Sequence, residues 1–210
     1  GGSLKTESGR IELGSVGSGK VDFNLTPENL KFSYDNAENF QDIQLSNNAS
    51  LDASSFSRNN SNSINNLVDS SSIQLQGQNI YLSDGSIILS NNQNNLPRGT
   101  ININAIESLK IQNSAVRSQA LFTGEGGNIA IYTKQLLIED GGGILAFNYS
   151  DKSGGNISIN ASDSLKIIGT EDVDFSTAIV TNTFSDGDGG NIDILTSRLN
   201  ILNGGIISSS

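Results

Sequence analysis

The sequence predicts an all-β chain, a right-handed parallel β-helix (solenoid) of about six to seven coils with three short strands in each. Three observations predict it. Gly-Gly-Asn followed by an alternating apolar strand recurs at Gly126-Gly127-Asn128-Ile129, Gly154-Gly155-Asn156-Ile157 and Gly189-Gly190-Asn191-Ile192. Ile129 and Ile157 stand 28 residues apart and Ile157 and Ile192 stand 35 apart; stepping back by 28 from Ile129 lands on Ile101 and then on Ile73. The segments aligned in this way alternate apolar with polar residues, the period of a strand with one buried face. Stacked coils place each inward residue about 4.8 Å from its counterpart, so like falls on like. Right-handedness follows from the preference of parallel crossovers.

The segments are assigned in chain order. Ile11/Leu13 reads as the tail of a partial first coil, and Val21/Phe23, Ile43/Leu45 and Leu51/Ala53 as the next. An insertion at 26–40 interrupts that coil; its Phe32, Tyr34, Asp35 and Phe40 form a mixed aromatic and acidic patch, read as a flap over the outer surface. Ile73/Leu75, Ile80/Leu82 and Ile87/Leu89 follow, then Ile101/Ile103, Leu109/Ile111 and a weaker segment at Ala115 and Val116. The remaining sets are Ile129/Ile131, Leu136/Ile138 and Ile144/Ala146; Ile157/Ile159, Leu165/Ile167 and Ile179/Thr181; and Ile192/Ile194, Leu199/Ile201 and Ile206/Ser208. Asp84-Gly85, Asp140-Gly141 and Asn203-Gly204 each follow a second segment, where glycine supplies a positive φ. A further insertion at 54–72 is a Ser-, Asn- and Asp-bearing exposed corner, and one at 169–177 leaves another corner of its coil.

Composition narrows the function. With 12 basic and 22 acidic residues the formal charge is -10, which repels phosphate backbones and argues against nucleic acid. Cys, His, Met and Trp are absent, so Ser-His-Asp and Cys-His triads are excluded and only carboxylates remain as plausible metal ligands. No apolar run approaches the roughly 20 residues of a membrane-spanning helix. Lacking Met, residues 1–210 are read as a single β-helix segment excised from a longer chain. Its cut ends would leave unpaired strand edges, so end-to-end self-association is expected.

The stretches Gly9-Arg10-Ile11-Glu12-Leu13-Gly14-Ser15-Val16 and Asn39-Phe40-Gln41-Asp42-Ile43-Gln44-Leu45-Ser46, with the Gly-Gly-Asn-Ile repeats, carry a resemblance over essentially the whole chain. It resembles filamentous haemagglutinin-like exoproteins of cyanobacteria, the passengers of two-partner secretion. The resemblance implies a β-helical shaft, export through an outer-membrane secretion partner, and an adhesive role at the cell surface, toward a glycan or protein receptor. Motifs of the family's amino-terminal secretion domain are not read here, so no partner-binding residue is carried over.

Three constellations invite a functional reading. Asn128, Asn156 and Asn191, with Thr100 in the equivalent place, form either a structural ladder of stacked side-chain amides or a series of turn residues tolerant of unusual φ. Phe122, Tyr149 and Phe184 precede the Gly-Gly-Asn turns by six or seven residues. They offer a stacking platform for a sugar ring or another chain, or they seal the bend by stacking on one another. Ser185-Asp186-Gly187-Asp188-Gly189-Gly190-Asn191 resembles one unit of a calcium-binding nonapeptide, with Asp186 and Asp188 as candidate ligands; the bland alternative is a solvated acidic turn.

Carbohydrate-cleaving chemistry needs clustered or paired carboxylates on a strand face, whereas outward positions here are mainly Ser, Asn, Gln and Lys. Glu171, Asp172 and Asp174 lie together but within an insertion. The expectation is therefore a non-catalytic, cofactor-free segment of a secreted or cell-surface adhesin-like exoprotein. The alternatives are a polysaccharide-binding or polysaccharide-cleaving β-helix, and a calcium-stiffened surface module.

Overall fold

The structure, a computed structural model, describes residues 1–7, 9–26, 29–55, 72–93, 99–170 and 176–210. Every regular element among them is a strand. The chain opens with β1 (Ser3–Lys5), β2 (Arg10–Gly14), the paired β3 (Val16–Thr26) and β4 (Asn29–Phe40), β5 (Ile43–Leu45) and β6 (Ser50–Asp52). Long and short strands then alternate: β7 (Ser72–Leu82) and β8 (Ile87–Asn92), β9 (Thr100–Gln112) and β10 (Ala115–Phe122), β11 (Asn128–Glu139) and β12 (Gly143–Ser150), β13 (Ile157–Ile168) and β14 (Ala178–Thr183). β15 (Ile192–Thr196), β16 (Leu199–Leu202) and β17 (Ile206–Ser209) complete it.

From β5 to β15, consecutive strands alternate between two sheets. Sheet A runs β1-β6-β8-β10-β12-β14-β17; sheet B runs β15-β13-β11-β9-β7-β2, with β16 also on β13 and β5 also on β7. All pairings within both sheets are parallel. One passage through both sheets, such as β11 then β12, makes a layer. The register is that of the repeat: Ile73 pairs Ile101, Ile101 pairs Ile129, Ile129 pairs Ile157 and Ile157 pairs Ile192. Ile73, Ile101, Ile129 and Ile157 are each 0% exposed. Burying such a side chain is worth ~2–3 kcal/mol, and the columns form one continuous core.

The first and second apolar segments of a layer are not separate strands in β7, β9, β11 and β13. They run together across a one-residue register shift, as between Thr133 and Gln135 in β11. Such a bulge bends a strand without ending it. β15 and β16 remain distinct, as do β2 and β5, between which the arm β3–β4 is inserted.

Two apolar pairs face the other way from the expected one. Ile88, not Ile87 or Leu89, is the fully buried residue of β8. Ile207, not Ile206, pairs with the buried Ile179, and Ile206 is exposed. In runs of consecutive apolar residues the period-two pattern cannot choose a face, whereas pairing to Val116 and Ile144 does.

Val21 and Phe23 are likewise displaced. They lie in β3, which pairs antiparallel with β4 in a two-stranded arm, so the departure from the sheets starts at Val16 rather than at residue 26. The first-segment place in that layer belongs to Ile11 and Leu13, which pair Ile73 and Leu75. Alternation marks any half-buried strand and does not say which sheet receives it. Of the insertions 54–72 and 169–177, residues 56–71 and 171–175, with Glu171, Asp172 and Asp174, lie outside the described residues.

Corners explain the turn residues. At Asp84-Gly85, Asp140-Gly141 and Asn203-Gly204 both residues have positive φ, between 50° and 79°. The paired positive φ of a hairpin turn here joins strands of different sheets.

Candidate functional site

The Gly-Gly-Asn corner is built by close approach. A Cβ on Gly127 would stand 2.6 Å from the carbonyl oxygen of Gly99, one on Gly155 2.0 Å from that of Gly127, and one on Gly190 1.8 Å from that of Gly155. The second glycines therefore stack backbone on backbone. None of Asn128, Asn156 and Asn191 has a positive φ, so unusual backbone conformation does not explain them. Asn128 Oδ1 accepts the Asn156 backbone N–H at 2.9 Å, and Asn156 Oδ1 accepts that of Asn191 at 2.8 Å. The rungs thus run from side chain to backbone, not amide to amide. At Thr100 the tie is backbone alone, Asn128 N–H donating to Gly99 at 3.1 Å.

A second ladder occupies the opposite corner, with reversed direction. Ala49 N–H donates to Ser86 Oγ at 3.2 Å, Ser86 N–H to Ser114 Oγ at 3.1 Å, and Gly141 N–H to Thr177 Oγ1 at 3.0 Å. Here the later layer supplies the acceptor. The 28-residue step from Ser86 to Ser114 was the sequence signal for it.

Of the aromatic trio, Tyr149 and Phe184 stack at 4.8 Å and 10°, with Phe147 edge-on to Phe184 at 5.8 Å. Phe122 is not in the stack. Its Cα pairs with Ser150, and Leu121 is the partner of Tyr149. Phe147 was not singled out from the sequence, although it precedes Tyr149 by two residues and so shares its face. Beside this stack, column neighbours Leu89, Arg117 and Leu145 point outward on sheet A.

At the acidic turn, the backbone oxygens are engaged by the protein. Thr183 Oγ1 donates to Gly187 O at 2.9 Å, while Asp188 O accepts from Gly154 N–H at 2.8 Å and from Asn148 Nδ2 at 3.2 Å. The Gly187 and Asp188 carbonyl oxygens, which a shared calcium site would use, are thus already accepting hydrogen bonds within the protein. Among the described residues no group of three or more acidic side chains could hold a metal ion.

A cleft lined by polar and aromatic side chains lies elsewhere, beneath the arm β3–β4. The arm folds back over the outward side of sheet B and leaves a cleft of about 530 Å³ lined by Phe32, Tyr34, Asp35, Phe40, Gln76 and Asn104, among others. Tyr34 seats it. A Cβ on Gly14 would stand 2.5 Å from the Tyr34 ring, so the ring lies on bare backbone. The phenol donates to Glu12 Oε1 at 2.8 Å, and Glu12 is ion-paired with Arg10, which also donates to Gln74 Oε1 at 3.0 Å. Burial first, and then the bond to Glu12, hold the Tyr34 phenol above its ordinary range. Phe40 lies 6.1 Å from Tyr34, ring centre to ring centre. Gln76 forms the floor at 5% exposure, and its carboxamide makes no hydrogen bond with the described residues.

Comparison with protein-family models, with curated proteins and with solved structures finds no match for this chain.

Proposed function

We propose that the two parallel sheets wind as a right-handed β-helix of about six to seven coils, and that this segment serves as shaft and interaction surface of a secreted, cell-surface exoprotein of the filamentous haemagglutinin-like kind. The register supports the winding: Ile73, Ile101, Ile129, Ile157 and Ile192 follow one another across sheet B while the strands from β5 to β15 alternate between the sheets. A right-handed sense is the ordinary one for parallel crossovers. The surface role rests on the resemblance of Gly9–Val16 and Asn39–Ser46, and with it come export through an outer-membrane partner and a non-catalytic, adhesin-like task. Exposed Leu199, Ile201 and Leu202 on β16 favour end-to-end association of copies of this segment.

An antibody against this segment should label intact cells of the source organism. Labelling only after the cells are opened would remove the surface reading. Small-angle scattering should show particles that lengthen along one axis in steps of roughly 30 Å, the length of that many strand spacings, as copies associate. The alternative of a polysaccharide-binding surface is favoured by one specific observation, the amide- and aromatic-lined cleft beneath the arm.

A further inference from the structure

The strongest unexplained feature is a carboxamide on the floor of the cleft that no described group bonds. Gln76 is 5% exposed and faces the cleft, yet no described group satisfies either end of its amide. Asn104, its register partner on β9, adds a second unengaged carboxamide to the same floor. Both amides open onto the cleft, where solvent meets them, and a ligand that supplies both a donor and an acceptor can take the place of that water.

We infer that the cleft beneath the arm β3–β4 binds the end of a neutral saccharide chain, one or two pyranose rings deep. Its volume of about 530 Å³ falls within the range of small-ligand sites. Sugar hydroxyls donate and accept, matching Gln76, Asn104 and the Asp35 carboxylate. The rings of Phe32 and Phe40 provide apolar surface for the C–H faces of a pyranose. An anionic sugar is disfavoured: Asp35 lines the cleft, and Arg10, beside the lining Gln74, is already engaged by Glu12 and Gln74. A quaternary ammonium would suit the aromatic rings but leave the amides unmatched. The site stands on the cleft alone and does not depend on export or on a shaft role.

Saturation-transfer NMR with maltose, cellobiose, lactose and chitobiose, beside digalacturonate as the anionic arm, tests it on the whole chain. At least one neutral disaccharide should bind the wild type and the remote variant Phe184→Ala equally. Gln76→Leu and Phe32→Ala should each weaken binding by about tenfold or more. Circular dichroism melts accompany each variant. If Gln76→Leu does not fold, Phe32→Ala, on the arm outside both sheets, decides. Binding by digalacturonate alone, no neutral binding at all, or neutral binding unaltered in Phe32→Ala would overturn the inference.

Discussion

Replacing Gly155 by alanine tests the stacking of the Gly-Gly-Asn corners most directly. The new Cβ would lie 2.0 Å from the Gly127 carbonyl oxygen, where ordinary contact begins near 3.4 Å. Backbone, not a flexible side chain, is what it meets, so the two corners must part by roughly 1.4 Å against a strand spacing of about 4.8 Å. That movement loosens the bonds from Gly126 N–H to Ser153 at 2.9 Å and from Ile129 N–H to Asn156 at 2.9 Å, and the Asn128 rung at 2.9 Å. At ~1 kcal/mol for each of the three bonds plus ~1–3 kcal/mol of overpacking, the loss is about 4–6 kcal/mol. Gly2→Ala is the control, because nothing lies within 4 Å of its Cβ. Urea unfolding followed by circular dichroism measures the difference, and amide exchange at 126–130 and 154–159 locates it. If Gly155→Ala unfolds with the same midpoint as Gly2→Ala, the close stacking of these corners is refuted.

Asn128→Leu should cost about 1–3 kcal/mol by leaving the Asn156 N–H unpaired, while Asn128→Asp, which keeps an acceptor, costs less; equal losses in urea unfolding would mean the side-chain oxygen is irrelevant. Because the folded Tyr34 phenol is held high, by burial and then by Glu12, the stability it lends is complete below the ordinary value near 10 and is lost as pH rises through the folded value. Its ring resonances should therefore keep their neutral-form shifts beyond about pH 10, and titration at the ordinary value would show that the Glu12 contact is not kept. Calcium and chelator should give one melting midpoint, since the oxygens of Gly187 and Asp188 face Thr183, Gly154 and Asn148; a rise with calcium would restore the nonapeptide reading of Asp186 and Asp188.

The inward columns were legible because identical spacing and alternation mark both the strand and its neighbour; Ile101, Ile129 and Ile157 needed no other information. Faces were not legible where apolar residues run consecutively, as at Ile87–Leu89, because the buried choice is made by the adjacent strand. Val21 and Phe23 show the same limit from another side: alternation is local, while the antiparallel partner is selected by the return of β4. The recurrence of Asn128, Asn156 and Asn191 was visible, but their bonding mode depends on how near the glycines bring successive backbones. Counting back from a turn misplaced Phe122, for which pairing to Ser150 is decisive. The cleft could not be read at all as a cavity, although Phe32, Tyr34, Asp35 and Phe40 were noticed. It arises where the arm meets Gly14 and Gln76, residues of other strands.

The two side-chain ladders point in opposite senses along the stack. At one corner the earlier layer offers an oxygen, Asn128 to Asn156; at the other the earlier layer offers an N–H, Gly141 to Thr177. Each layer therefore offers an oxygen at one corner and an N–H at the other on the same face. Copies that meet end on can match these groups head to tail, as successive layers do, or across a two-fold axis that exchanges the two corners. The opposed ladders thus serve both an open filament and a closed dimer.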